Sequence, residues 1–152
     1  MTTPPTERGR ILACRLPLVQ ALREEPTGDS RPRALIVDDD DPIRMMLTKL
    51  MERQNLDVDQ ARDGEEAIER IGHDGYSVIL LDLMMPRVDG FGVLRYMSEH
   101  HPEKLRCTII ASAVPESEIL RRFDLPVYRI HPKPFDMARL IADVKQCAKM
   151  TA

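Results

Sequence analysis

Five short apolar runs alternate with five segments of helical periodicity between residues 34 and 149, and this alternation limits the possible folds more than any other feature. The runs are Ala34–Val37, Leu56–Ala61, Ser77–Leu81, Cys107–Ala111 and Pro126–His131. The helical segments are Pro42–Gln54, Gly64–Ile71, Gly90–His100, Pro115–Phe123 and Asp136–Lys149. Strands that alternate with helices indicate a parallel sheet covered on both faces. The pattern therefore predicts an α/β fold, a doubly wound (βα)5 unit with a five-stranded parallel sheet.

Residues 1–33 differ in composition from the rest and hold five of the twelve prolines. The apolar segment 11–22 is interrupted by Arg15 and Pro17 and no small-residue cleavage site follows, which excludes a signal peptide. We expect a flexible N-terminal tail over 1–33, although sequence upstream of the true start or a short docking helix are alternatives. Residues 34–150 are the predicted folded domain, and the sequence gives no sign of an output domain after it.

Charge, hydropathy and cysteine content exclude several classes of function. Residues 34–152 hold 16 basic and 21 acidic side chains, so direct nucleic-acid binding is not expected. No apolar run approaches the ~20 residues that a membrane-spanning helix needs. The three cysteines cannot all pair within the chain, which favours reduced thiols and a cytoplasmic protein.

Polar residues follow four of the predicted strands. Asp38 to Asp41 follow the first strand, Asp82 the third, Ser112 the fourth and Lys133 the fifth. In an open parallel sheet, the carboxyl ends of the strands form the ligand-binding edge. Clustered carboxylates favour a hard cation such as Mg²⁺, the ammonium and hydroxyl suit phosphoryl oxygens, and one carboxylate is available as a nucleophile. The sequence therefore predicts a site for a phosphoryl group and Mg²⁺.

Four motifs resemble the receiver domain of bacterial two-component response regulators. They are Val37–Arg44, Leu81–Gly90, Ser112-Ala113 and Lys133–Phe135. The resemblance implies the strand order 2-1-3-4-5 and a non-enzymatic, stand-alone switch controlled by phosphorylation. It further implies a sensor histidine kinase or phosphotransfer protein as donor and a downstream effector protein as partner. The state expected is a monomer or a weak, phosphorylation-linked dimer.

The same resemblance assigns the metal ligands. Asp82 is the expected phospho-acceptor and contacts Mg²⁺. Asp39 is the expected direct ligand, and Asp38 acts largely through water. The main-chain carbonyl of Met84, two residues past the acceptor, is the other expected protein ligand.

Two further residues are assigned to the phosphoryl group by resemblance. The hydroxyl of Ser112 is expected to turn toward it, and the ammonium of Lys133 is expected to pair with one of its oxygens. The resemblance also implies a cis peptide bond between Lys133 and Pro134.

Nearby residues receive structural interpretations. Asp40 is expected in a solvated loop or cap, and Asp41 is predicted to cap the first helix ahead of Pro42. Asp89-Gly90 is expected to form a helix-entry turn. The histidines His100, His101 and His131 are predicted to lie at the surface, without a metal or phosphotransfer role.

The chain departs from the family pattern in several places. Ile130 occupies the usual aromatic position, with Tyr128 two residues earlier, and Leu125-Pro126 replaces the usual Gly-Ala. We therefore expect a short or irregular fourth helix and an unusual relay of the signal. Pro132 lacks a ladder donor, so strand five is predicted to be an edge strand. By resemblance, the side chains two residues past Asp82 and two past Ser112 influence hydrolysis of the aspartyl phosphate, and because Met84 and Val114 are apolar we expect slow hydrolysis.

Three alternatives can be weighed. A Mg²⁺-dependent phosphatase would need an Asp-x-Asp nucleophile motif on strand one, which Asp40-Asp41-Pro42 does not provide. A flavin or nucleotide binder would need a Gly-rich loop there, and aspartates would repel its phosphate. A degenerate receiver that acts only as a docking module is disfavoured by the intact acceptor, acidic pair and lysine.

Overall fold

The computed structural model describes residues 31–73 and 75–151, so most of the predicted tail, with Cys14, lies outside the described residues. Its five strands form one parallel sheet in the order β2-β1-β3-β4-β5. The strands are β1 (Arg33–Val37), β2 (Asp57–Ala61), β3 (Val78–Leu81), β4 (Thr108–Ser112) and β5 (Arg129–Pro132). This topology confirms the predicted fold class and strand order.

Helices connect successive strands, as the alternating pattern predicts. They are α1 (Asp41–Arg53), α2 (Gly64–His73), α3 (Gly90–His100), α4 (Glu116–Arg122) and α5 (Met137–Thr151). A 3₁₀ turn, Pro102–Cys107, leads into β4. Helix α4 has only seven residues, which confirms the expectation of a short fourth helix.

The position of each strand in the sheet follows from its composition. Strands β3 and β4 are buried throughout, and β1 is buried from its second residue onward. Strands β2 and β5 carry polar side chains and form the two edges. Strands buried on both faces require continuous apolar runs, whereas edge strands tolerate polar residues and proline. The prediction that strand five is an edge is confirmed.

The core is mainly aliphatic, as the low aromatic content requires. On α1, Leu47 and Met51 are buried at helical spacing, whereas Met45 and Met46 are exposed. Helix α1 packs against β1 and β2, and α5 packs against β3. The thiols of Cys107 and Cys147 are free and buried.

Two local predictions need correction. The N-cap of α1 is Asp40, whose carboxylate accepts a hydrogen bond from the amide of Ile43 at 3.0 Å, and Asp41 is already the first helical residue. Strand β5 begins at Arg129 rather than at Pro126. The preceding residues form a connection in which the amide of Val127 bonds to the carbonyl of Leu125.

Among the described residues, no helix has the length and apolarity needed to cross a membrane.

Candidate functional site

The carboxyl ends of β1 and β3 bring the predicted acidic residues together. Val37 is paired with Leu81 in the register of these strands, so Asp38 and Asp82 follow side by side. The amide of Asp82 also donates to the carbonyl of Val37 at 2.9 Å. One carboxylate oxygen each from Asp38, Asp39 and Asp82 lies within 4.8 Å of the other two. Asp38 and Asp82 are buried and Asp39 is exposed, so the cluster opens to solvent on one side.

Lys133 reaches this acidic cluster from the end of β5. Its Nζ lies 3.0 Å from Oδ2 of Asp38 and 3.4 Å from Oδ2 of Asp82. The amide of Lys133 donates to the carbonyl of Ser112 at 3.0 Å, which ties the lysine to the end of β4. The Lys133–Pro134 peptide bond is cis, as predicted. One ammonium therefore bridges two carboxylates that come from different strands.

The electrostatics of the cluster are set mainly by burial. Burial raises the pKa of Asp82 above its ordinary value, and the charge of Asp38 adds to this effect. The amide of Met84 and the ammonium of Lys133 oppose it. For Lys133 burial acts to lower the pKa, but its contacts with Asp38 and Asp82 outweigh burial and the pKa is raised. The lysine therefore stays charged, while ionising Asp82 costs more than for an exposed carboxyl.

Ser112 lies at the end of β4 and Met84 in the loop after β3, and the two residues make different contacts. Ser112 ends β4 and is buried, and its Oγ accepts a hydrogen bond from the amide of Val114 at 3.2 Å. Met84 donates its amide to Oδ1 of Asp82 at 3.1 Å, and its side chain is 61% exposed. The loop after β3 thus supports the carboxylate of Asp82 through the main chain.

The donor set of the cluster suits a hard divalent cation. Mg²⁺ prefers oxygen ligands at about 2.0–2.1 Å and is typically held by one or two carboxylates with several waters. Three carboxylates close together repel one another, and Lys133 supplies only one positive charge in return. Asp38, Asp39 and Asp82 therefore fit Mg²⁺ both in ligand chemistry and in charge.

Asp89 and Gly90 form a turn at the start of α3, as predicted. The carboxylate of Asp89 caps the helix by accepting from the amide of Gly92 at 2.9 Å. A Cβ on Gly90 would lie 2.3 Å from the carbonyl oxygen of Asp82. Only glycine allows α3 to begin so close to the backbone of the candidate acceptor.

The structure adds one residue that the sequence had not assigned a role. Arg44 of α1 donates from Nη1 to the main-chain carbonyl of Asp38 at 2.8 Å. In the sequence analysis Arg44 is only the last residue of the motif Val37–Arg44. Its spacing from Asp38 was visible, but its contact depends on the direction of a long side chain.

The prediction of a surface histidine at position 131 is wrong. His131 is buried, and its Nε2 lies 2.7 Å from Oδ2 of Asp143 on α5. Arg129 also approaches this carboxylate, with Nε at 3.5 Å. The pair could not be foreseen because it joins an edge strand to a later helix. Among the described residues, His131 belongs to no cluster that could hold a metal ion.

Comparison with known proteins, like the geometry of the site, relates this chain to receiver domains. The family model of the response regulator receiver domain matches residues 34–145. A relative, the transcriptional regulatory protein SrrA of Staphylococcus aureus, is 32% identical over 117 residues, which are 77% of this chain and 48% of the relative. The chain thus spans about half the length of the curated relatives it matches.

Solved structures show the same fold. The receiver domain of the Francisella response regulator 1452 superposes with a TM-score of 0.71 at 29% identity, covering 80% of this chain and 100% of that domain. A sensor protein from Polaromonas sp. JS666 gives a TM-score of 0.70 at 25% identity, covering 81% of this chain and 100% of that one. The family match, the relatives and the acidic cluster beside Lys133 lead to one conclusion: this chain belongs to the response regulator receiver domain family.

Proposed function

We propose that this domain is a phosphorylation-dependent switch that accepts a phosphoryl group on Asp82. The observation that carries the proposal is the buried carboxylate of Asp82 beside the ammonium of Lys133, with Asp38 and Asp39 next to it. These side chains would supply a nucleophile, a fixed positive charge and a set of oxygen ligands at one edge of the sheet. Membership of the receiver family supports a signalling role.

In the proposed reaction an oxygen of the ionised Asp82 carboxylate attacks phosphorus of a phosphohistidine. The phosphorus–nitrogen bond breaks, its electron pair stays on the ring nitrogen, and that nitrogen takes up a proton when the ring leaves as neutral imidazole. Asp38, Asp39 and Asp82, with the carbonyl of Met84, would hold Mg²⁺. When bound, the cation supplies positive charge for the phosphoryl oxygens.

Lys133 and Ser112 complete the proposed switch. The ammonium of Lys133 already contacts Asp82, so it is placed to pair with a phosphoryl oxygen on that residue. The hydroxyl of Ser112 accepts a bond from Val114, and a hydroxyl that accepts one bond can still donate its own proton. Moving Ser112 toward the phosphoryl group would release the amide of Val114 and alter the connection to α4.

The proposed partners follow from this chemistry. A sensor histidine kinase or a phosphotransfer protein supplies the phosphoryl group, and an effector protein binds the phosphorylated surface. We place the protein in the cytoplasm, as a monomer or a weak dimer linked to phosphorylation, without direct contact to nucleic acid.

The proposal is tested by the intact mass of the protein after incubation with acetyl phosphate and Mg²⁺. We expect the wild type to gain one phosphoryl group, and EDTA or the Asp82→Asn substitution to prevent the gain. Asp57→Asn is the matched control, because Asp57 is exposed at the opposite end of the strands. If folded wild-type protein gains no mass at any donor concentration, the docking-module alternative replaces this proposal.

A further inference from the structure

We propose that Arg44 is a positioning residue for the magnesium site. Its guanidinium holds the loop after β1 in the conformation that presents Asp38 and Asp39 to the cation. This inference rests on the proposed function, because it assumes that these aspartates bind Mg²⁺.

Arg44 connects three parts of the chain. Nη1 donates to the carbonyl of Asp38 at 2.8 Å, and Nε donates to Oε1 of Gln60 on β2 at 3.1 Å. Nη2 pairs with the carboxylate of Asp41 at the start of α1. The side chain of Arg44 is only 12% exposed, so its contacts with Asp38 and Gln60 are partly shielded from competing water, whereas the carboxylate of Asp41 is exposed. The guanidinium therefore fastens the end of β1 to its neighbouring strand and to the following helix.

Asp38 is fixed through every oxygen that it carries. Its carbonyl accepts from Arg44, its Oδ1 accepts from the amide of Asp40 at 2.9 Å, and its Oδ2 accepts from Lys133 at 3.0 Å. The peptide that Arg44 holds is the one that leads into Asp39. Losing the arginine would thus free the backbone between the two predicted magnesium ligands while leaving both carboxylates in the chain.

Arg44 acts through these residues and does not touch the proposed ligands' carboxylates. Its positive charge faces a main-chain carbonyl and the exposed carboxylate of Asp41, not the acidic cluster. A planar guanidinium can donate to several acceptors at fixed angles, whereas an ammonium is a point charge on a flexible stem. Replacement by lysine therefore keeps the charge but not the three simultaneous contacts.

The experiment measures Mg²⁺ affinity of the full chain by calorimetric titration, together with thermal unfolding. Because partners that orient metal ligands typically contribute 10–100-fold to affinity, we expect Arg44→Met to raise the Kd for Mg²⁺ by about tenfold. Arg44→Lys should recover part of this loss. Arg53→Met is the matched control, since Arg53 is exposed in the last turn of the same helix, and it should bind Mg²⁺ like the wild type.

A positioning role also predicts how phosphorylation responds to Mg²⁺. With acetyl phosphate as donor, Arg44→Met should need more Mg²⁺ for half-maximal rate, and saturating Mg²⁺ should return the rate close to that of the wild type. If Arg44→Met does not fold, Gln60→Leu removes one partner of the guanidinium and should weaken Mg²⁺ binding several-fold.

Two results would overturn the inference, and they are distinguishable. If the wild type binds Mg²⁺ and Arg44→Met binds it equally well, or only unfolds at lower temperature, the arginine is merely structural and the proposed function stands. If the folded wild type itself shows no Mg²⁺ binding, the proposed function fails and the inference fails with it.

Discussion

The acidic cluster and the pair formed by His131 and Asp143 both contain buried polar side chains, but their charges are balanced differently. In the cluster, three carboxylates lie within 4.8 Å of one another and share the ammonium of Lys133. On the β5–α5 side, the single carboxylate of Asp143 faces His131 at 2.7 Å and Arg129 at 3.5 Å. The cluster has an excess of negative charge, whereas the carboxylate of Asp143 faces two side chains that can donate to it.

This difference in charge balance indicates that the acidic cluster responds to a ligand, whereas the pair of His131 and Asp143 stabilises the fold. An acidic cluster with an excess of negative charge costs folding free energy until a cation binds, so cation binding there relieves the repulsion. A matched pair between a strand and a helix contributes stability whether or not a ligand is present. We therefore expect substitutions in the two regions to affect stability in different ways.

Lys133→Met should have the largest effect. It leaves Asp38 and Asp82 buried together, with side chains 3% and 5% exposed, and no ammonium between them. Removing one partner of a buried ion pair typically costs 3–5 kcal/mol, so we expect a loss of about 3 kcal/mol in the free energy of unfolding, measured in urea without Mg²⁺. Transfer of a phosphoryl group to Asp82 should be strongly reduced.

A double-mutant cycle sharpens this prediction. Adding Asp82→Asn to Lys133→Met removes one of the two repelling charges and should restore part of the lost stability. Strictly additive effects of the two substitutions would contradict the view that the lysine acts mainly by neutralising the cluster.

Asp143→Ala should be destabilising by a smaller amount, about 2 kcal/mol, because it leaves the buried ring of His131 without its partner. Phosphorylation of Asp82 should be unaffected, since the pair does not contact the acidic cluster. Unfolding in urea and the acetyl phosphate assay measure the two effects. Lys145→Ala, an exposed position on the same helix, is the control and should change neither.

The comparison also shows how far sequence alone predicts such sites. Asp38, Asp82 and Lys133 were predicted together because each follows a strand, and parallel strands place their carboxyl ends at one edge. The pair of His131 and Asp143 was missed because it depends on the rotation of α5 about its axis, which local periodicity does not fix to a single partner.

The same reasoning explains the smaller errors. The run of four aspartates predicted the start of α1 to within one residue, but the residue that caps the helix is Asp40 rather than Asp41. Several aspartates in a row offer equivalent capping carboxylates, so the sequence does not select one of them. The contact of Arg44 with Gln60 depends on the register of β2 beside β1, which places Gln60 within reach. Backbone topology was therefore predictable from the pattern, and contacts of long side chains were not.

Asp82→Asn should stabilise the apo protein at neutral pH, the opposite of the effect of Asp143→Ala. Burial raises the pKa of Asp82, so the folded chain holds this proton more tightly than the unfolded chain. The associated stability is complete below the unfolded pKa and is lost as the pH rises through the folded pKa. The gain from asparagine should thus appear at neutral pH and disappear in acid, as measured by thermal unfolding without Mg²⁺. An equal gain at both pH values would exclude this electrostatic cause.

The smallest effect concerns the lifetime of the phosphorylated state. Met84 is 61% exposed and Val114 is half-buried, and neither side chain can orient an attacking water by hydrogen bonding. Met84→Asn, or an amide or acid at Val114, should shorten the half-life of the aspartyl phosphate a few-fold, a change of about 1 kcal/mol in the barrier to hydrolysis. Met84→Leu is the matched control and should leave the half-life unchanged. If Met84→Asn also leaves the half-life unchanged, the rate of hydrolysis is set by the acidic cluster and Lys133, and the side chain at position 84 does not affect it.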